Sequence, residues 1–360
     1  MGTRDSEDRL PGPHPTPAQQ RTRAPKAAPD IPQLILLQCN LRTIISIITP
    51  QSRHSPQEWN PRSMLRLSLL LLSALVAETA HAGEGLFSRV YTTETVPKGH
   101  FEIEQTFRDR TLRAYGKYNA LDSKTEFEYG VTDQFQVAAY LNTGWISGKG
   151  FPEDNDAQGD TPRGMDRERF GVESVTLEFV YRWLSPITDG IGIAFYNEPE
   201  YMFMDMHNGD TYYNSFADEF RVLVQKNWFD DQLIFVYNLV AEFEYYRYTN
   251  TFRVAQPFQG ELDFNNELGL TYRFAPNFYG GLEARNHNEI GNFWSHDHTI
   301  VWAGPAVHYA GQKYWGTLGV LRQVYGVPNG TDSNGSFQGD NLFLHSHEKW
   351  EITAKIGLPF

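Results

Sequence analysis

Leu233-Ile234-Phe235-Val236-Tyr237-Asn238-Leu239-Val240-Ala241-Glu242-Phe243-Glu244 carries an apolar side chain at every odd position, while Asn238, Glu242 and Glu244 fall at even ones. In an extended chain, successive side chains point to opposite faces, so this stretch reads as a strand with one continuous apolar face. A helix would scatter the same residues around its circumference. The rhythm recurs along the chain. Phe101, Ile103 and Phe107 alternate with Glu102, Glu104 and Arg108, and Phe127, Tyr129 and Val131 with Glu126 and Glu128. Phe135, Val137, Ala139 and Leu141 oppose Gln134, Gln136 and Asn142. Val175, Leu177, Phe179, Tyr181 and Trp183 oppose Thr176, Glu178 and Arg182, and Phe264, Leu268, Leu270 and Tyr272 oppose Asp263, Glu267 and Arg273.

The connections between these segments take turns in length. Short ones fall at Thr132-Asp133, Ser185–Gly190, Phe229–Asp231, Ala275–Asn277 and Ala310–Lys313. Long polar ones fall at Arg110–Leu121, Ile146–Phe170, Met204–Asn214, Thr249–Gly260, His287–His298 and Val327–Ser346. A soluble sandwich has no reason to keep that alternation. An up-and-down transmembrane β-barrel does, with short periplasmic turns and long extracellular loops. The expected fold is therefore all-β: an antiparallel barrel of about twelve strands over residues 99–360, following a short periplasmic segment from Gly83, with both termini periplasmic.

Composition agrees. Aromatics make up 14 % of the 360 residues, which favours strands and supplies interfacial belts. Trp145, Trp183, Trp228, Trp294 and Trp302 are expected in those belts. The net charge of −13 excludes a nucleic-acid partner, which needs a basic face. Cys39 is the one cysteine, so an internal disulfide and a thiolate metal cluster are excluded.

The first 82 residues read as outside the fold. Met64 and Arg66 precede an apolar run, Leu67 to Ala77, and then Ala80-His81-Ala82. The run is short of the ~20 residues a helical span needs. Together these features describe a secretory signal peptide over 64–82, with the mature chain starting at Gly83. Residues 1–63 are then expected to lie upstream of the true translation start, a gene-model artefact; the alternative is a cytoplasmic extension with Leu67–Ala77 as its anchor. At the other end, Ile352, Ala354, Ile356, Leu358 and Phe360 alternate with Glu351, Thr353 and Lys355. A last strand closing on an aromatic resembles the signal by which barrels reach their outer-membrane assembly machinery.

Further runs carry a family resemblance. Gly83-Glu84-Gly85-Leu86-Phe87, Tyr91-Thr92-Thr93-Glu94-Thr95 and Pro97-Lys98-Gly99 are followed much later by Gly304-Pro305, His308-Tyr309 and Trp315-Gly316-Thr317-Leu318. They resemble an uncharacterised family of Gram-negative outer-membrane β-barrels, over residues 83–360. The resemblance implies the fold and an outer-membrane location among lipid and lipopolysaccharide. It implies no functional residues.

With the apolar parity toward lipid, the other parity lines the lumen. That places Glu102, Glu104, Glu126, Glu128, Glu178, Glu219, Glu242, Glu244, Glu261, Asp263, Glu267, Glu283 and Glu351 inside, with fewer bases: Arg108, Lys124, Arg182, Arg221, Arg273, Arg285 and Lys355. An Arg or Lys facing lipid near the midplane would cost roughly 2–4 kcal/mol. Excess carboxylate suggests a narrow cation-preferring pore, or a channel or binding protein for a small cationic solute. The alternative is a plugged structural or adhesive barrel that acts through loops such as Asp154–Asp160 and Thr331–Asp340.

Chemistry is sparse. His296-x-His298 and His345-x-His347 place imidazoles on one side of an extended chain, near His287, Glu289, Asp297 and Glu348. Loop histidines are ordinarily solvated, so neither metal nor cofactor is assigned. Ser295 beside His296 and Ser346 beside His345 admit an envelope lipid hydrolase, yet adjacency in sequence makes no nucleophile–base pair. No Gly-x-Ser-x-Gly elbow is present. The expectation is a protein that is not an enzyme.

Overall fold

The protein is described by a computed structural model covering residues 85–150, 167–248, 256–328 and 341–360. The signal peptide, the upstream extension and the loops Asp154–Asp160 and Thr331–Asp340 lie outside the described residues. The described residues all belong to one compact unit, Val76–Phe360. No helix among them is long and apolar enough to cross a membrane.

Twelve strands follow one another around a closed ring. They are β1 Phe101–Thr111, β2 Lys117–Thr132, β3 Phe135–Lys149, β4 Arg167–Leu184, β5 Gly192–Met204 and β6 Thr211–Trp228. Then come β7 Leu233–Tyr246, β8 Gln259–Ala275, β9 Phe278–Gly291, β10 Ser295–Ala310, β11 Trp315–Pro328 and β12 Trp350–Pro359. Every neighbouring pair is antiparallel, and β1 closes on β12 from Glu102↔Pro359 to Thr111↔Trp350. Closure leaves no unpaired edge, the condition for a sheet to survive in lipid. The start of β1 and the last residue of the chain meet at the short-turn rim, where Phe101 and Phe360 exchange backbone hydrogen bonds.

The two faces invert the order of a soluble protein. Phe107, Phe127, Leu141, Leu177, Phe216, Leu268 and Leu318 are exposed on the outside, whereas Glu102, Glu104, Glu126, Glu128, Glu178 and Glu267 are buried inside. An apolar outer surface around a polar interior is the architecture of an outer-membrane β-barrel.

Three expectations change. The stretches Arg110–Leu121 and His287–His298 are mostly strand, because β1 and β2 run on to Thr111 and from Lys117, while β9 and β10 are separated by residues 292–294 alone. Arg110, Tyr118, His287, Glu289 and His298 in these stretches are buried toward a polar lumen, and from sequence that is indistinguishable from loop. Trp302 is no belt residue. It is 1 % exposed and faces inward, and its indole Nε1 donates to the Glu348 carbonyl at 3.0 Å. By contrast Trp183, Trp228 and Trp294 are exposed.

The third change concerns the segment before β1, which runs through the lumen rather than beside the barrel. Phe87, Ser88, Val90, Thr92, Thr93, Thr95 and Val96 are all buried. Polar side chains of the wall bind the segment's backbone as a neighbouring strand would. Ser88 N donates to Glu283 Oε1 at 3.1 Å and Arg89 N to Glu283 Oε2 at 2.9 Å. Asn238 accepts from Tyr91 N at 2.7 Å and donates to Tyr91 O at 2.8 Å. Thr93 N reaches Gln225 Oε1 at 2.9 Å, and Val96 N reaches Gln136 Oε1 at 2.7 Å. These contacts satisfy backbone groups that would otherwise be buried without partners. Apolar packing completes the seat: Phe87 and Val90 lie against Ile234 and Val236, and Tyr91 lies against the cluster of Val180, Ala194, Tyr196 and Leu223. Gly269 leaves the room, since a Cβ there would stand 2.6 Å from the Phe87 ring.

Candidate functional site

Above this segment the lumen holds two adjoining cavities of about 250 and 220 Å³. Both are lined by Arg89, Arg108, Asp122, Glu173, Glu200, Glu242 and Arg285, so they form one continuous chamber. Alternation along the strands supplies the lining. Each inward parity carries polar residues because only the outward parity meets lipid.

The chamber's charges divide into paired and unpaired sets. Arg221 joins Glu219 and Glu267 at 2.5 and 3.0 Å, Lys124 joins Glu126 at 2.9 Å, and Lys355 lies 3.4 Å from Glu104. Arg285 lies 3.8 Å from Glu267 and 3.9 Å from Glu351. Glu173, Glu198, Glu200, Glu242, Glu244 and Asp263, from β4, β5, β7 and β8, form no ion pair with Lys or Arg among the described residues. Clustered carboxylates without counter-ions attract cations.

The sequence-predicted lining residues take three positions. Glu126, Glu219, Arg221, Glu242, Glu244, Asp263, Glu267 and Arg285 sit in or beside the chamber. Glu283 is buried but tethers the lumenal segment, and Gln136 of that seat also donates to Glu178 at 3.3 Å; Glu128 is likewise buried. Arg182 and Arg273 belong to the short-turn rim. Arg182 binds Glu94 at 2.8 Å, and Arg273 donates to the Asp230 carbonyl at 2.8 Å. Sequence reading missed Arg89, Arg110, Asp122, Glu173, Glu198 and Glu200. Glu173 lies beside a register shift in the β3–β4 pairing, and Pro199 interrupts the pattern between Glu198 and Glu200.

Tyr91 stands on the chamber floor. The Arg221 guanidinium lies 4.5 Å from its ring centroid and the Lys355 ammonium 5.2 Å, contacts in the cation–π range. Burial pushes the phenol up, so it stays neutral. At the opposite mouth, residues 341–349 fold inward. Glu348 binds Arg110 at 3.1 Å and Arg113 at 2.7 Å. Burial opposes its ionisation, but the guanidiniums of Arg110 and Arg113 outweigh it and hold the carboxyl well below the usual range.

The histidines divide. His298 and His347 meet inside the lumen, with Nε2 atoms 2.8 Å apart. His287 and Glu289 join them. His296 instead pairs with Thr299 Oγ1 at 2.9 Å, and the His345 ring meets Tyr115 edge-on at 6.0 Å. The Ser346 hydroxyl is buried without a hydrogen-bond partner among the described residues.

Comparison with known proteins gives a family. The structure is similar to the COG4313 outer membrane channel from Pseudomonas putida F1, with 12 % identity, 74 % of this chain and 98 % of that one covered, and a TM-score of 0.49. The β domain of the Bordetella autotransporter BrkA gives 12 % identity, coverages of 72 % and 99 %, and a TM-score of 0.44. The NanC porin gives 9 %, coverages of 72 % and 98 %, and 0.39. No curated protein matches the sequence. A family model matches residues 79–360, the whole barrel and its lumenal segment, and on that match the chain belongs to the family of unknown function DUF6662.

Proposed function

We propose that this barrel is an outer-membrane channel for small cationic solutes, oriented with both termini in the periplasm. The observation that carries the reading is the chamber itself, a polar space holding Glu173, Glu200, Glu242, Glu244 and Asp263 with no Lys or Arg ion-pair partner among the described residues. A purely structural interior would pair these acids or fill the space with apolar groups, because clustered like charges raise the cost of burial. In the chamber they substitute for part of a cation's hydration shell. Arg89, Arg108 and Arg285 face the same space and have their acids no closer than 3.6 Å, so a solute carrying one anionic group beside its amine also finds a partner.

The lumenal segment supports a second reading, a barrel closed at the periplasmic mouth and acting through its loops. The two readings differ in one observable. Purified protein in liposomes should admit a small diamine faster than a dicarboxylate of equal size. Equal rates, or the reverse order, would count for the closed barrel.

A further inference from the structure

His287, Glu289, His298 and His347 come from three parts of the chain and converge in the lumen. One ligand atom from each lies within 4.8 Å of all the others, and all four residues are buried. Beyond the channel reading and independently of it, we propose that these residues form a binding site for a divalent first-row transition metal of the zinc class. The site would latch the segment before β12 to the barrel wall.

Three imidazoles and one carboxylate are a donor set that zinc favours, and they close a four-coordinate shell. Tetrahedral zinc with bonds of about 2.0–2.1 Å holds its ligand atoms about 3.4 Å apart. His298 Nε2 already lies 3.3 Å from Glu289 Oε2, and His347 Nε2 lies 3.8 Å from the same oxygen. The two Nε2 atoms at 2.8 Å need separate only slightly to admit the ion. Sequence spacing explains the geometry. His287 and Glu289 share one parity of β9, His298 lies across the β9–β10 pairing from Glu289, and His347 arrives from the loop.

A second observation points to a ligand. His287 Nδ1 lies 2.9 Å from Asn265 Oδ1 and 3.5 Å from Asp263 Oδ2, two acceptors against one donor, Arg285 Nη2, at 3.5 Å. The closer acceptor favours the tautomer with the proton on Nδ1 and the lone pair on Nε2. That Nε2 is buried and has no hydrogen-bond partner among the described residues, and the whole residue is 3 % exposed. A buried imidazole oriented by one nitrogen and bare at the other is how a metal-ligating histidine is held. The Trp302 and Phe343 rings pack around the group and keep bulk water away. The acids of the chamber, Asp263 and Glu261 among them, line the approach. With four protein ligands and no open position, the ion would hold His347, and with it Glu348 and the inward fold of the loop. It would not activate water.

The test is isothermal titration of zinc chloride into the untagged, folded barrel in detergent, with unfolding followed by calorimetry. One zinc per chain is expected, with an unfolding temperature that rises with zinc and falls back on adding EDTA. His287→Gln and His347→Gln should each weaken binding at least 100-fold, whereas Asn265→Ala should weaken it about 10- to 100-fold. His296→Gln and His345→Gln should leave it unchanged, which separates this site from adventitious binding by surface histidines. Folding of each variant is checked by heat-modifiable gel mobility. Absence of zinc binding to the folded wild type would overturn the proposal. So would undiminished affinity in the folded His287→Gln variant, or loss in His296→Gln equal to that in His347→Gln.

Discussion

Asn238 shows what one inward polar residue does in this barrel. It lies in the middle of β7, fully buried, and pairs with both backbone groups of Tyr91. Asn238→Leu would leave a buried N–H and C=O without partners, at about 1–3 kcal/mol for each unsatisfied group. The barrel's own ladder is untouched, so the loss should appear as loosening of residues 85–96. Limited proteolysis should cleave that segment in the variant at protease levels that spare the wild type. Equal resistance in both would show that the segment is held elsewhere. The same residue shows why the seat was hidden. An Asn flanked by apolar residues in a strand reads as one more lumen polar group, and nothing local names its partner 147 positions away.

At the scale of elements, the odd positions of β7 announced an outward apolar face, and the structure has it. The even positions Ile234, Val236 and Val240 are apolar too, and they are buried. A strand with apolar residues at both parities has something packed on each face. In β7 that partner is Phe87 and Val90 of the lumenal segment. This signal was legible in the sequence as a strand whose first half does not alternate. Loop boundaries were less legible, because Arg110, Tyr118, His287 and His298 are polar strand residues serving the lumen. Of the histidine pairs, only His298 and His347 enter the cluster, since the pattern His-x-His fixes side but not distance. Removing residues 85–96 should leave a folded, heat-modifiable barrel, because the twelve-strand ladder closes without them. The expected gain is a several-fold larger single-channel current. An unchanged current from the folded shortened chain would assign the constriction to residues 341–349.

At the scale of the whole molecule, the distribution of charge decides the outcome. The chain is acidic overall, at −13, and the chamber concentrates unpaired carboxylates while its bases are largely committed to ion pairs. Architecture follows from the alternating strands and their turns. The proposed selectivity rests on which inward charges remain unpaired, and that depends on pairings across strands that no single strand's sequence contains. The most direct test is the reversal potential of the folded barrel in a planar bilayer under a tenfold potassium chloride gradient. It is compared with that of the triple variant Glu242→Gln, Glu244→Gln, Asp263→Asn. The wild type should reverse toward the potassium equilibrium potential, and the triple variant should shift toward zero. Anion preference in the wild type, or a reversal potential that the triple substitution leaves unmoved, would contradict an acidic chamber as the conduction path.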